Sequence, residues 1–81
     1  MRIIVNFYAI CRELTETPIK DIELPENADK DTLVKGLLQI YPQLKQVISG
    51  TAIAVNDEYV FTQFRLKEGD VISLIPPVSG G

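Results

Sequence analysis

Histidine is absent from this 81-residue chain, and Cys11 is its only cysteine. That count excludes an intramolecular disulfide and a Cys/His metal site, and it suits a reducing cytoplasm. Nucleophilic triads and acid–base relays that need an imidazole are excluded as well. No cluster of lysine or arginine occurs, and the net charge is −3, so nucleic-acid binding is not expected. The apolar run Ile3-Ile4-Val5 behind Met1 and Arg2 is too short for a signal peptide or a membrane span. Repeats, linkers and low-complexity stretches are missing too. The expectation is a soluble cytoplasmic domain without a membrane or nucleic-acid partner.

What is present is a composition that folds. At 46% hydrophobic and 23% charged residues the chain reads as globular rather than disordered. Its length leaves no room for a second core, and a domain this small buries only ~60–65% of its unfolded surface. Partner surfaces therefore carry weight. An acidic balance is compatible with a basic protein partner.

Residues 2–9 alternate with a period of two: Ile3, Val5 and Phe7 face one way, and Ile4, Asn6 and Tyr8 the other. Asn6 marks the second face as the open one. Residues 9–14 predict a short helix, ended near Thr15-Glu16-Thr17-Pro18. Residues 19–24 read as a second strand, with Ile22 and Leu24 inward and Asp21 and Glu23 outward, closed by Pro25. Asp29-Lys30-Asp31-Thr32 offers N-caps for a helix whose stripe is Leu33, Val34, Leu37, Leu38 and Tyr41, limited by Pro42. Gly36 inside it costs about 1 kcal/mol relative to alanine and points to close packing on a sheet. Residues 43–50 predict a turn of helix and a loop. Ala52–Val55 is a third strand, Asn56-Asp57-Glu58 a turn, and 59–61 a short fourth strand. Leu66-Lys67-Glu68-Gly69-Asp70 is a turn with glycine at positive φ, and Val71–Ile75 is the last strand.

One long amphipathic helix among these strands implies an α+β roll, a mixed sheet of roughly five strands packed on that helix. By fold analogy this is a ubiquitin-like β-grasp, in which the first and last strands lie at the middle of the sheet. Residues 1–75 form the domain and residues 76–81 an extended C-terminal tail.

That tail is Pro76-Pro77-Val78-Ser79-Gly80-Gly81. The prolines hold an extended path and donate no backbone N–H. Glycine lacks a Cβ, so the diglycine can enter a narrow channel. Six extended residues reach up to ~20 Å, at about 3.3 Å each. The α-carboxylate of Gly81 is then the group that another enzyme can reach and activate.

At this point the sequence resembles a known family. Phe7-Tyr8-Ala9 with Arg12-Glu13-Leu14, the segment Ala54-Val55-Asn56, and Leu66-x-Glu68-Gly69-Asp70-Val71 leading to Pro-Pro-Val-Ser-Gly-Gly look like the small subunit of molybdopterin synthase. The resemblance covers essentially the whole chain, and the tail is its specific part. The Leu-x-x-Gly-Asp turn is shared by many β-grasp proteins. The related thiamin sulfur carrier also ends in Gly-Gly but is usually shorter and as a rule lacks the proline pair.

The resemblance implies a sulfur carrier. A ubiquitin-activating-type adenylyltransferase uses ATP to adenylate the Gly81 carboxylate, and sulfur from a persulfide donor displaces AMP to leave a thiocarboxylate. The tail then enters the large subunit, which passes the sulfur to cyclic pyranopterin monophosphate; two transfers build the dithiolene of molybdopterin. The assembly implied is a heterotetramer with the large subunits at its centre. No cofactor is expected on this chain itself. It acts as a non-catalytic carrier, with the acids and bases supplied by the large subunit.

Under this reading Gly81 is the modified residue, and Gly80 lets the tail pass a constriction. Pro76, Pro77, Val78 and Ser79 run along the partner's channel, although Val78 and Ser79 can equally be spacers. Tyr8 and Ile75 share the open face beside the tail root and form a candidate docking patch. Phe61 joins them as an interface candidate, while the sequence leaves open whether it or Phe64 is the exposed ring. Cys11 reads as a packed residue. Glu13, Asp21, Glu23, Asp57 and Glu58 show no metal or acid–base pattern and read as solvated surface. The alternatives are a ubiquitin-like modifier joined to lysines through Gly81, a sulfur carrier for thiamin or transfer RNA, and an adaptor with an inert tail.

Overall fold

Alternation in the first strand decides which side of the sheet becomes core. A computed structural model describes residues 1–77. Strand β1 (Arg2–Phe7) buries Ile3, Val5 and Phe7 and leaves Ile4 and Asn6 half-buried on the other face. Helix α1 (Ala9–Thr15) follows and ends where Glu16 takes a left-handed conformation, φ 56°. Thr15 closes its last turn, its hydroxyl donating to the Cys11 carbonyl at 2.9 Å. Strand β2 (Ile19–Glu23) returns antiparallel to β1, with Ile22 opposite Ile3 and inside the core.

Helix α2 (Lys30–Ile40) starts at Asp29, whose carboxylate accepts the Thr32 N–H and hydroxyl, each at 2.9 Å. Leu33 and Leu37 are fully buried, and Val34, Leu38 and Tyr41 flank them half-buried. The Tyr41 ring meets Phe7 edge-on, centroids 5.4 Å apart, which ties the end of the helix to β1. A β-carbon on Gly36 would sit 2.9 Å from Leu24 Cδ2, so glycine lets α2 close against the chain just past β2. Two short 3-10 helices, Pro42–Gln46 and Ile48–Gly50, replace the expected turn and loop, and the first buries Leu44.

Strands β3 (Ala52–Val55), β4 (Glu58–Tyr59) and β5 (Val71–Ile75) complete a sheet of order β2-β1-β5-β3-β4. The first and last strands lie inside the sheet, as the β-grasp analogy requires. They run parallel, with Phe7 beside Leu74, while the other pairings are antiparallel. Between β3 and β4 the loop is two residues, Asn56 and Asp57, with φ of 50° and 70°. Positive φ at both positions is the type I′ pattern that matches strand twist. Gly69 has the expected positive φ, 83°.

The fourth strand is shorter than the sequence indicates. Its pairing ends at Tyr59, and Phe61 lies beyond it at 83% exposure. The chain leaves the sheet there to cover the core. Leu66 is buried, and its N–H donates to the Ala28 carbonyl at 2.9 Å.

Candidate functional site

Parallel pairing brings the C-terminal ends of β1 and β5 out at the same edge. The Tyr8 N–H donates to the Leu74 carbonyl at 3.3 Å, which sets Tyr8 beside Ile75. Tyr8 keeps extended angles (φ −119°, ψ 153°) before Ala9, at φ 49°, turns the chain into α1. A residue with a β-carbon rarely adopts that conformation, so the junction is strained. Tyr8 is 48% exposed and Ile75 half-buried.

Tyr8, Ala54, Asp57, Tyr59, Ser73 and Ile75 line an open hollow of about 330 Å³ on the face away from α2. The Tyr59 ring stacks on Phe61, centroids 6.1 Å apart and 15° from parallel, so Phe61 extends the apolar surface past β4. Phe64 packs instead against the core. The choice between the two rings is thereby made. Ser73, a polar residue on this face, is only 7% exposed. It lies in mid-sheet, with Asn6 of β1 on one side and Ala54 of β3 on the other.

A second hollow of about 640 Å³ adjoins the first through Tyr8 and Ile75 and continues along Ile10, Pro76 and Pro77. Pro76 is buried and Pro77 exposed. Val78, Ser79, Gly80 and Gly81 lie outside the described residues. The structure therefore brings Tyr8, Ile75, Pro76 and Pro77 together, with Phe61 reached through Tyr59.

Cys11 belongs to the core. It is fully buried, and its Sγ lies 3.8 Å from Thr51 Oγ1. Burial pushes its thiol pKa up, with the Thr51 contact opposing, so the thiolate needed for attack is disfavoured. Among the described residues no three His, Cys, Asp or Glu side chains gather as metal ligands. No helix among them is long and apolar enough to cross a membrane.

Tyr59 escaped the sequence reading. A two-residue loop pairs Val55 with Glu58 and Ala54 with Tyr59, which puts the ring on the face of Ser73. Taking the turn as three residues hides that register.

The ThiS family model matches residues 5–81 of the chain. The chain belongs to the ThiS family. Within that family, a curated relative from Chlamydomonas reinhardtii, named molybdopterin synthase sulfur carrier subunit, is 35% identical over the full length of both chains. A Pyrococcus furiosus protein described as molybdopterin converting factor subunit 1 superposes with a TM-score of 0.86 at 30% identity, covering 96% of this chain and 99% of its own. A chain of the Helicobacter pylori complex of molybdopterin-converting factor subunits 1 and 2 superposes at 0.72 with 33% identity, over all of both chains. The small archaeal modifier protein 1 of Methanosarcina acetivorans reaches 0.80 at 28% identity, over 99% of this ThiS-family chain and 96% of its own.

Proposed function

We propose that this chain is the sulfur-carrying small subunit of molybdopterin synthase and that Gly81 carries the sulfur. The observation that supports this most is the position of the apolar hollow. Tyr8 and Ile75 lie at the root of the proline tail, so a partner gripping that face stands next to the emerging C-terminus. The relatives named for this role, and the two-subunit complex from Helicobacter pylori, agree with it.

The chemistry follows from the carboxylate. Its oxygen is a poor leaving group, and an activating enzyme corrects this with ATP: the carboxylate attacks the α-phosphate, pyrophosphate leaves, and a glycyl adenylate forms. Persulfide sulfur then attacks the carbonyl carbon and AMP departs, giving an acyl disulfide with the donor. A second thiol attacks the donor's sulfur of that bond, forming a disulfide with the donor and releasing the thiocarboxylate. Held in the large subunit, this soft nucleophile delivers sulfur to the pterin precursor. The domain supplies grip and direction, and the acid–base groups come from the partners.

Intact-mass measurement on protein from its own cell tests the reading. A form heavier by one oxygen-to-sulfur exchange at Gly81 is expected. Its absence, when the activating enzyme and a persulfide donor are supplied, would sink the proposal. A second reading, a protein modifier conjugated through Gly81, draws on the likeness to the Methanosarcina modifier protein. Gly81-dependent adducts on lysines, without pterin sulfuration, would favour it. Sulfur appearing instead in thiamin or transfer RNA would redirect the carrier to those acceptors.

A further inference from the structure

The tail does not begin where the last strand ends. Strand β5 stops at Ile75, yet Pro76 is buried, which a residue in a free tail would not be. Pro77 is exposed, but its ring lies against Gly50: a β-carbon there would sit 3.7 Å from Pro77 Cγ and 3.9 Å from Cδ. Ile10, on α1, and both prolines line the second hollow, and the same three residues recur with Val47 and Gly50 around a third. The proline pair is thus a common wall between two hollows, backed by α1 on one side and the 3-10 segment on the other. Proline suits this position because docking it leaves no backbone N–H unpaired and its φ is already fixed.

We infer that Ile10, Val47 and Gly50 form a seat for Pro76 and Pro77, and that this seat is a positioning element that sets where the terminal residues leave the domain. The inference rests on the carrier reading for its purpose, while the seat itself rests on these contacts alone. A seated proline pair shortens the free arm. Four residues remain beyond Pro77, spanning at most about 13 Å at 3.3 Å each. The order already present at the root need not be created when the arm enters a partner, and ordering a residue's backbone costs about 1–2 kcal/mol.

Gly50 makes the seat testable without disturbing the core. Its φ lies outside the left-handed region, so other residues fit its backbone, and alanine meets only ordinary contact with Pro77. Valine adds two γ-carbons toward the ring. Two measurements on the full chain separate seat from function. Nuclear Overhauser contacts between Pro77 and Gly50 are expected in the wild type and in Gly50→Ala, and lost in Gly50→Val and Ile10→Ser. With the activating enzyme, ATP–pyrophosphate exchange by Gly50→Val should fall about fivefold or more in kcat/KM. Gly50→Ala should recover the rate. Absent Pro77–Gly50 contacts in the folded wild type overturn the seat. So does a Gly50→Val rate equal to wild type once those contacts are lost. A wild-type chain that shows the contacts but supports no exchange sinks the carrier reading and leaves the seat standing.

Discussion

Asn56 and Asp70 clamp the β3–β4 hairpin to the start of β5. The Asn56 amide donates to Asp70 Oδ1 at 2.9 Å, while its carbonyl oxygen accepts the Val71 N–H at 2.9 Å. Asp70 is buried, and its second oxygen accepts the Lys67 N–H at 2.8 Å. This clamp places Asp57 and Tyr59 over the hollow. Replacing Asn56 with glycine keeps the positive φ and removes only the hydrogen bonds. A loss of about 1–2 kcal/mol is expected in urea denaturation, together with weaker binding to the large subunit. Unchanged stability would mean that the side chain contributes nothing to the hairpin.

Under the proposed carrier function, chemistry at the terminal carboxylate would make the tail intolerant of length change. Deleting Gly81, or adding any residue after it, should abolish sulfur transfer in a reconstituted synthase and leave the melting temperature in place. Full activity of an extended chain that has not been trimmed would exclude the mechanism.

The hollow predicts a different pattern. Truncating a buried aromatic anchor commonly costs about 1–4 kcal/mol of binding. Tyr8→Ala and Ile75→Lys should weaken calorimetric affinity for the large subunit far more than they lower the melting temperature. Should both bind as the wild type does, the docking surface moves to Tyr59 and Phe61.

Much of this surface is legible in the sequence because it follows from alternation. Ile3, Val5 and Phe7 inward place Tyr8 outward, and Ile72 and Leu74 inward do the same for Ile75. The Asp29 cap and the Gly69 turn are legible for the same local reason, since each depends on residues within one turn of chain. The clamp between Asn56 and Asp70 is not, because it spans residues 14 apart whose meeting depends on strand register. Nor is the Pro77–Gly50 contact, which brings together two segments that no local pattern links.

Cys11 supplies a pH test. Burial raises its folded pKa above the ordinary value of 9.0. The folded state then holds its proton where the unfolded chain releases it. The stability linked to this thiol is complete below pH 9.0 and is lost as pH rises through the raised folded value. Cys11→Ala should cost about 1 kcal/mol in packing, remove this alkaline loss from the melting profile, and leave thiocarboxylate formation close to normal. Failed sulfur loading in a folded, adenylated variant would give the thiol a chemical role.

Asp29 acts at the other end of the scale. Hydrogen bonds from the Thr32 N–H and hydroxyl hold its carboxyl below the ordinary 3.8, with a smaller contribution from Arg65. Its stabilisation is present above pH 3.8 and is lost as pH falls through the lowered folded value. Asp29→Asn keeps an acceptor for the cap and should flatten this part of the acid limb. An acid limb identical to wild type would assign the loss to other carboxylates.

The central place of β5 has a mechanical consequence. Bonded to β1 on one side and β3 on the other, it shares any pull at Ile75 between two ladders. Tension drawn along the strand loads the β1 ladder in shear, so its hydrogen bonds resist together instead of unzipping in turn. A pull on the chain beyond Ile75 is therefore borne by the whole sheet. Strand β5 thus does not fray from its C-terminal end as an edge strand would.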